Sequence, residues 1–133
     1  MTVRQFLHGG TFALASFLVW LGRSASGQPL QRPIVRLAEL EIDPAQVESY
    51  KMALMEEIET SIRVEAGVLA LYAVSVKGHP SQIRIFETYA DEAAYRAHME
   101  TPHFKKYKTG TQEMVKSLKL IEADVVVLGA KSR

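Results

Sequence analysis

The spacing of apolar side chains predicts a chain in which strands and helices take turns. Residues 34–42 (IVRLAELEI) carry apolar side chains on both faces, which is typical of a strand that is covered on both sides. Asp43 and Pro44 then predict a helix start, with Gln46 placed to complete a capping box, and we expect this helix to end at Gly67. Its predicted buried stripe is Val47, Tyr50, Leu54, Ile58 and Ile62. Its predicted solvated face holds Glu48, Lys51, Glu56, Glu57 and Glu59.

The second half of the chain predicts a hairpin, two helices and a last strand. Residues 69–77 and 83–89 form the hairpin, because the sequence Gly-His-Pro-Ser at 78–81 has the chemistry of a turn. Asp91 is predicted to cap a helix that ends near Glu100, and Thr101-Pro102 to start another helix by the same cap and proline. The stripe expected on this last helix is Phe104, Tyr107, Thr111, Met114, Val115 and Leu118. Residues 121–128 (IEADVVVL) are predicted to close the fold as a strand, before a polar tail at 129–133.

The resulting order, β-α-β-β-α-β, predicts an α+β fold with one antiparallel sheet and helices on one face. In the third strand Ile83, Ile85, Glu87 and Tyr89 share one face, while Phe86 lies on the other. Because both faces carry apolar side chains, we expect a second copy of the chain to cover the face that the helices leave free. The sequence therefore predicts a homodimer.

Residues 1–27 differ from the rest of the chain. Arg4 precedes an apolar run of ten residues at 12–21 (FALASFLVWL), and small residues follow at 24–27. Ten apolar residues are too few to span a bilayer, and the pattern is typical of a secretory signal peptide. An uncleaved anchor and an amphipathic N-terminal helix remain alternatives. We expect a cleaved signal peptide at 1–27, a linker at 28–33, the folded domain at 34–128, and an exported protein that is periplasmic or secreted and free of the membrane.

Composition narrows the classes of function. The 133 residues suffice for one domain, and a formal charge of +1 provides no basic face for nucleic acid. The chain has no cysteine, which excludes disulfides, thiolate nucleophiles and cysteine-based metal sites. No glycine-rich phosphate loop or serine–histidine triad is visible in the sequence.

Candidate chemistry is concentrated between Ile83 and Tyr107. Glu87 shares a strand face with isoleucines, so burying its charge is costly unless a partner meets it; a pocket carboxylate and a salt bridge to Arg63 or Arg84 are the alternatives. His98 falls on the inward side of its helix, and histidine exchanges protons near neutral pH, so it is the candidate base. A hydrogen-bonded structural histidine is the alternative for that position.

His103 is the second candidate in this stretch, as a residue that positions the substrate. It and His98 are five residues apart across a proline, so they do not share a helix face as two ligands at i and i+4 would. We therefore expect no metal site.

Several segments resemble the antibiotic biosynthesis monooxygenase (ABM) family. They are Pro44, Arg63-Val-Glu-Ala-Gly67, Phe86-Glu-Thr-Tyr89, Ala94-Tyr-Arg-Ala-His98 and Thr101-Pro-His-Phe104, and the likeness covers about residues 34–128. The resemblance implies a ferredoxin-like fold that pairs as a dimeric α+β barrel. It also implies a pocket position for Glu87. The haem-degrading branch uses asparagine and tryptophan; this chain has no asparagine, and its one tryptophan, Trp20, lies in the predicted signal peptide.

The function that this resemblance implies is oxidation of a small quinol or anthrone by O2 without a cofactor. His98 is then the base, Glu87 its orienting partner or a substrate contact, and His103 a positioning group. The candidate substrate-binding residues are Tyr72, Tyr89, Phe104 and Arg63. Two alternatives remain: an isomerase or processing enzyme for a small hydroxylated carbonyl compound, and a non-catalytic ligand-binding or stress-associated dimer.

Overall fold

The structure is a computed structural model that describes residues 32–131. The signal peptide predicted at 1–27 and most of the linker lie outside the described residues, so both stay predictions. Within the described part of the chain, no helix is long and apolar enough to cross a membrane.

Four strands and three helices follow one another as predicted, β-α-β-β-αα-β. They are β1 (Ile34–Ile42), α1 (Val47–Val64), β2 (Val68–Val76), β3 (His79–Tyr89), α2 (Glu92–Glu100), α3 (Pro102–Thr111) and β4 (Val115–Ala123). The strands form one antiparallel sheet in the order β2-β3-β1-β4, which is the ferredoxin-like α+β arrangement. The predicted fold class is therefore confirmed.

The first helix begins differently from the capping box that its sequence predicts. Asp43 accepts a hydrogen bond from the backbone N–H of Ala45 at 3.0 Å, and Pro44–Gln46 form a 3₁₀ turn before α1. The Gln46 side chain makes no capping bond. The short turn satisfies the first N–H groups by itself, so the helix starts three residues later than expected.

The buried side of α1 also differs from the predicted stripe. Its buried residues are Val47, Tyr50, Leu54, Glu57 and Ser61. Ile62 is half exposed, and Glu57, predicted to face solvent, is 5% exposed. The observed spacing alternates three and four residues, which keeps one line on the helix facing the sheet. The helix thus brings a carboxylate into the interior.

The strand β4 begins six residues earlier than predicted. The helix ends at Thr111, and Val115 and Leu118, expected on its stripe, belong to the strand. Residues 124–128, expected in the strand, lie beyond its end, and Val126 is 96% exposed. Pairing of Leu118 with Leu40 and of Leu120 with Ala38 determines this register, because it adds both leucines to the inner face of the sheet.

The two faces of the sheet have different neighbours. The inner face, toward the helices, carries the core residues Ala38, Leu40, Ile83 and Ile85, which pack with Tyr50 and Leu54 of α1. On the outer face one apolar row crosses all four strands. This outer row is Tyr72, Phe86, Leu37 and Ile121, and Tyr72 in it is 61% exposed.

Gly67 sets how closely α2 approaches the end of α1. A Cβ atom built on Gly67 would lie 2.4 Å from the Cβ of Ala94, far inside van der Waals contact. The Gly67 carbonyl also accepts a hydrogen bond from Ala90 N–H at 2.8 Å, so the segment before α2 is fixed to the same point. The absence of a side chain at Gly67 lets α2 pack here.

We expect Gly67→Ala to destabilise the protein by roughly 1–3 kcal/mol. The two Cβ atoms that would clash, of residue 67 and of Ala94, are attached directly to the backbone, so a helix would have to shift to separate them. Urea unfolding measures the change. Gly110→Ala is the matched control, since a Cβ there meets nothing within 4 Å. Equal stability of the two variants would contradict the close contact.

Candidate active site

A cavity of about 490 Å³ lies between the inner face of the sheet and the three helices. Its wall is mainly aliphatic and aromatic, and it also contains four ionisable side chains from the sheet and the helices. The aromatic wall consists of Tyr89, Tyr95, Phe104 and Tyr107, and the ionisable group of Arg36, Glu57, Glu87 and His98. An apolar cavity with a few convergent polar groups is the usual form of a small-molecule site.

His98 lies in the last turn of α2 and is 3% exposed. Asp91 begins this helix by accepting a hydrogen bond from Ala94 N–H at 2.8 Å. The imidazole packs between aromatic rings, with centroids 4.7 Å from Phe104 and 5.3 Å from Tyr89. These contacts fix the ring plane and leave the two nitrogens to polar partners.

Glu65 holds both histidines. It follows the last residue of α1, and its N–H donates to the Ser61 carbonyl at 2.9 Å, which fixes the backbone. Its carboxylate lies 3.0 Å from His98 Nδ1 and 2.6 Å from His103 Nε2. Burial raises the pKa of Glu65, but hydrogen bonds from His103 and His98 outweigh burial, and the net pKa is lowered. Glu65 is therefore ionised at neutral pH.

The ionised state of Glu65 determines the tautomer of its partner. An ionised carboxylate only accepts hydrogen bonds, so Nδ1 of a neutral His98 carries the proton. Its Nε2 then keeps a lone pair and lies 3.6 Å from Glu57 Oε1. The arrangement leaves one unprotonated nitrogen at the cavity, which is what a general base requires.

Two further carboxyl groups are shifted in the opposite direction. Burial raises the pKa of Glu57, which accepts a hydrogen bond from Ser61 Oγ at 2.7 Å. Burial also raises the pKa of Glu87, whose Oε2 accepts from Tyr89 OH at 3.1 Å. The site thus combines one carboxyl group held ionised with two that are pushed toward the neutral form.

The structure brings together most of the residues that the sequence singles out. His98, Glu87, Tyr89 and Phe104 all line the cavity, and His103 is joined to His98 through Glu65. Glu87 is not the partner that orients His98; its hydrogen bond goes to Tyr89.

Two candidate substrate-binding residues lie elsewhere. Tyr72 belongs to the outer row, because its neighbour Leu71 occupies the inward position on β2. Arg63 is exposed and lies outside the cavity, since it is two residues, or about 200° of helix, from the buried Ser61. The salt bridge considered between Arg63 and Glu87 is therefore absent from the described part of the chain.

Three functional candidates were missed from the sequence: Glu57, Glu65 and Arg36. The three–four spacing from Val47 through Tyr50 and Leu54 was a signal for Glu57, because it continues to that residue. Glu65 carried a weaker signal, its place just before Gly67 at the helix end. Arg36 also carried a signal, because strand alternation places it on the same face as Ala38 and Leu40.

The two histidines meet in space despite the proline between them. One ligand atom each from Glu57, His98 and His103 lie within 4.8 Å of one another, a set that could hold a divalent metal ion. As expected, the two histidines do not share one helix face; they meet because Pro102 starts a new helix whose first turn returns His103 toward His98. Each histidine already gives one nitrogen to Glu65, so a bound metal would use the remaining ones or displace that carboxylate.

Comparisons with known proteins agree with this geometry. The sequence profile described as antibiotic biosynthesis monooxygenase matches residues 33–110. A comparison with curated protein sequences gives no match.

Three solved structures illustrate the likeness. A candidate antibiotic biosynthesis monooxygenase from Bacteroides thetaiotaomicron is 52% identical, with a TM-score of 0.73, over 77% of this chain and 97% of the other. A candidate monooxygenase from Lactobacillus acidophilus is 31% identical, with a TM-score of 0.66, over 68% of this chain and 43% of the other. A Pseudomonas aeruginosa protein, 21% identical with a TM-score of 0.68 over 75% of this chain and 100% of the other, shares the fold.

Proposed function

Since the chain belongs to the antibiotic biosynthesis monooxygenase family, we propose that it oxidises a small quinol- or anthrone-type substrate with O2 and without a cofactor. The observation that carries the proposal is the Glu65–His98 pair, which holds Nδ1 of the imidazole on the carboxylate while the histidine lines a mainly apolar cavity. Family membership supports a monooxygenase-like activity, and the substrate class and the cofactor-free route are our proposal.

His98 begins the reaction by removing a proton. Transfer of a substrate proton to Nε2 leaves a phenolate or enolate, and Glu65 stabilises the imidazolium that forms. The electron-rich anion passes an electron to O2, the resulting radical and superoxide combine at carbon, and the imidazolium of His98 returns its proton to form a hydroperoxide. Loss of water then leaves one oxygen atom in the product and one in water. The aromatic wall excludes bulk water from these steps.

The two carboxyl groups with raised pKa values complete this scheme. Glu57 lies 3.6 Å from His98 Nε2, beside the atom that takes the substrate proton. Burial raises the pKa of Glu57, so it holds a proton more readily than an exposed carboxyl group and is the proposed donor to the departing oxygen. Glu87, on the floor of the cavity, is a hydrogen-bond partner for a substrate oxygen.

The test is oxygen uptake by the purified protein with a panel of hydroquinones and anthrones. We expect uptake that requires protein, exceeds autoxidation and persists after treatment with a metal chelator, with incorporation of one ¹⁸O atom from ¹⁸O₂ into the product. Uptake that is lost on chelation would contradict the cofactor-free route, and no uptake across the panel would contradict the oxidation itself.

We further propose that the protein acts as a homodimer through the outer row of the sheet. Tyr72, Phe86, Leu37 and Ile121 provide a continuous apolar surface that a second copy can cover. We expect twice the chain mass in sedimentation equilibrium, and a shift to monomer in Phe86→Asp. Met52→Asp, at an exposed position of α1, is the control. A wild-type monomer would contradict the proposal.

A further inference from the structure

Arg36 is a largely covered cation that lines the cavity and has no part in the proposed reaction. It lies on the inner face of β1, where the register places it between Glu87 of β3 and Glu122 of β4. Its side chain is 14% exposed, and its guanidinium lies 3.9 Å from the centroid of the Tyr95 ring. The ring covers one face of the guanidinium and holds its plane in place.

Only part of the guanidinium is satisfied. Nη2 donates to Glu122 Oε1 at 2.9 Å, but the buried Nε has no hydrogen-bond partner among residues 32–131. Nε–H and one N–H of Nη2 point to the same side and form the fork that grips a carboxylate with two bonds. Glu122 bonds to Nη2 alone, so the Nε–H arm of that fork stays without a partner among residues 32–131.

The partner that now occupies the fork is easily displaced. The Glu122 side chain is 81% exposed, and ion pairs with such exposed carboxylates contribute little stability in water. A ligand carboxylate that used both arms would satisfy the buried Nε and release Glu122 to solvent. Glu122 thus marks the place where a ligand acid group fits.

The surrounding charges favour an acid at this position. Lys108 and Lys116 also line the cavity, while the inward carboxyl groups of Glu57 and Glu87 have raised pKa values because they are buried. Carboxyl groups with raised pKa values hold a proton more readily, so they repel an anion less than exposed carboxyl groups would.

We infer that Arg36 binds a carboxylate of the ligand, and that the ligand is a small aromatic hydroxy acid. Its ring occupies the apolar cavity and its acid group binds the fork of Arg36. The further placement of a ring hydroxyl at His98 rests on the proposed function, whereas acid binding at Arg36 does not.

The test is calorimetric binding to the full chain without O2, so that turnover cannot occur. The probes are 2,5-dihydroxybenzoate, its neutral isostere 2,5-dihydroxybenzamide, and benzene-1,4-diol. We expect the acid to bind with a Kd about tenfold or more below that of the amide. Arg36→Met should remove this preference and Arg36→Lys should weaken it, since lysine keeps the charge but lacks the fork. Arg96→Met, an exposed arginine paired with Glu92 on α2, is the matched control.

Glu122→Gln separates a ligand site from a structural ion pair and does not require a change in the interior. We expect it to bind the acid several-fold more tightly and the amide unchanged, because the competing carboxylate is gone. The inference is overturned if the acid fails to bind, if acid and amide bind wild type equally, or if the preference survives in both Arg36 variants. None of these results affects oxygen uptake with neutral hydroquinones, so a failure here is distinct from a failure of the proposed function.

Discussion

His98→Ala is expected to lower kcat by roughly 10²–10⁴-fold, the usual contribution of a general base. The imidazole is the group whose Nε2 faces the cavity, and the nearest carboxylate oxygen, Oε1 of Glu57, lies 3.6 Å from that nitrogen rather than in its place. Oxygen uptake under saturating substrate measures the loss. Added imidazole should restore part of the rate, because the substitution leaves a space of the same shape beside Phe104.

His79→Ala is the control for this experiment, since His79 is exposed at the start of β3. His98→Gln, which keeps more of the packing volume, covers the case in which the alanine variant folds poorly. A kcat that is unchanged in both His98 variants would reject the base. Loss of ligand affinity with no turnover in wild type would favour the non-catalytic dimer, and proton exchange without oxygen uptake would favour the isomerase.

Glu65→Gln is the second large effect, expected to lower kcat by roughly 10²–10⁴-fold, as when the orienting carboxylate of a catalytic triad becomes an amide. Both histidines bond to the same carboxylate oxygen, Oε1, and an amide oxygen in its place carries no negative charge. The imidazolium that forms when His98 takes the substrate proton then loses the charge that stabilises it. The rate therefore falls even if both hydrogen bonds persist.

The same substitution has a stability effect with a defined pH dependence. The pKa of Glu65 is lowered in the folded state, so its stabilising contribution is fully present above the unfolded-state pKa and is lost as pH falls through the folded one. We expect Glu65→Gln to cost roughly 1–3 kcal/mol at pH 7, with the difference shrinking in acid.

Urea unfolding at pH 7 and at progressively lower pH measures this difference. Glu59→Gln, at an exposed position of α1, should change neither stability nor rate. Glu65→Asp, which keeps the charge, should retain more activity than the amide. A Gln variant with the wild-type rate and the wild-type pH profile would show that Glu65 does not orient His98.

Local pattern accounts for the fold more fully than for the site. The strand β1 matches its predicted limits, 34–42, because alternation and the following Asp-Pro are both local signals. The last strand was predicted to begin too late in the sequence, because Met114, Val115 and Leu118 fit a helical spacing. The alternation of Leu118 and Leu120 with polar neighbours, and Gly110 in the preceding helix, were the competing signals for an earlier strand.

The missing parts of the site are those that depend on contacts between elements. His98 was predicted to face inward from its own helix, and it does. Nothing in the local sequence around Glu65 shows that two histidines, 33 and 38 positions away, donate to it. From sequence alone, a glutamate on or next to a helix is predicted to face solvent. Glu57 and Glu65 are covered instead, because α2 and α3 pack against the end of α1.

The break at Thr101 has a consequence for how this site tolerates changes in chain length. The Thr101 hydroxyl donates to the His98 carbonyl at 2.7 Å and accepts from Phe104 N–H at 3.3 Å, so one residue closes α2 and opens α3. Adding one residue after Pro102 would turn His103 by about 100° around its helix, away from the shared carboxylate. The number of residues between His98 and His103 is therefore fixed by the geometry of the site. Residues 98–103 could be transferred to another protein as one segment, provided that a glutamate follows the end of a neighbouring helix.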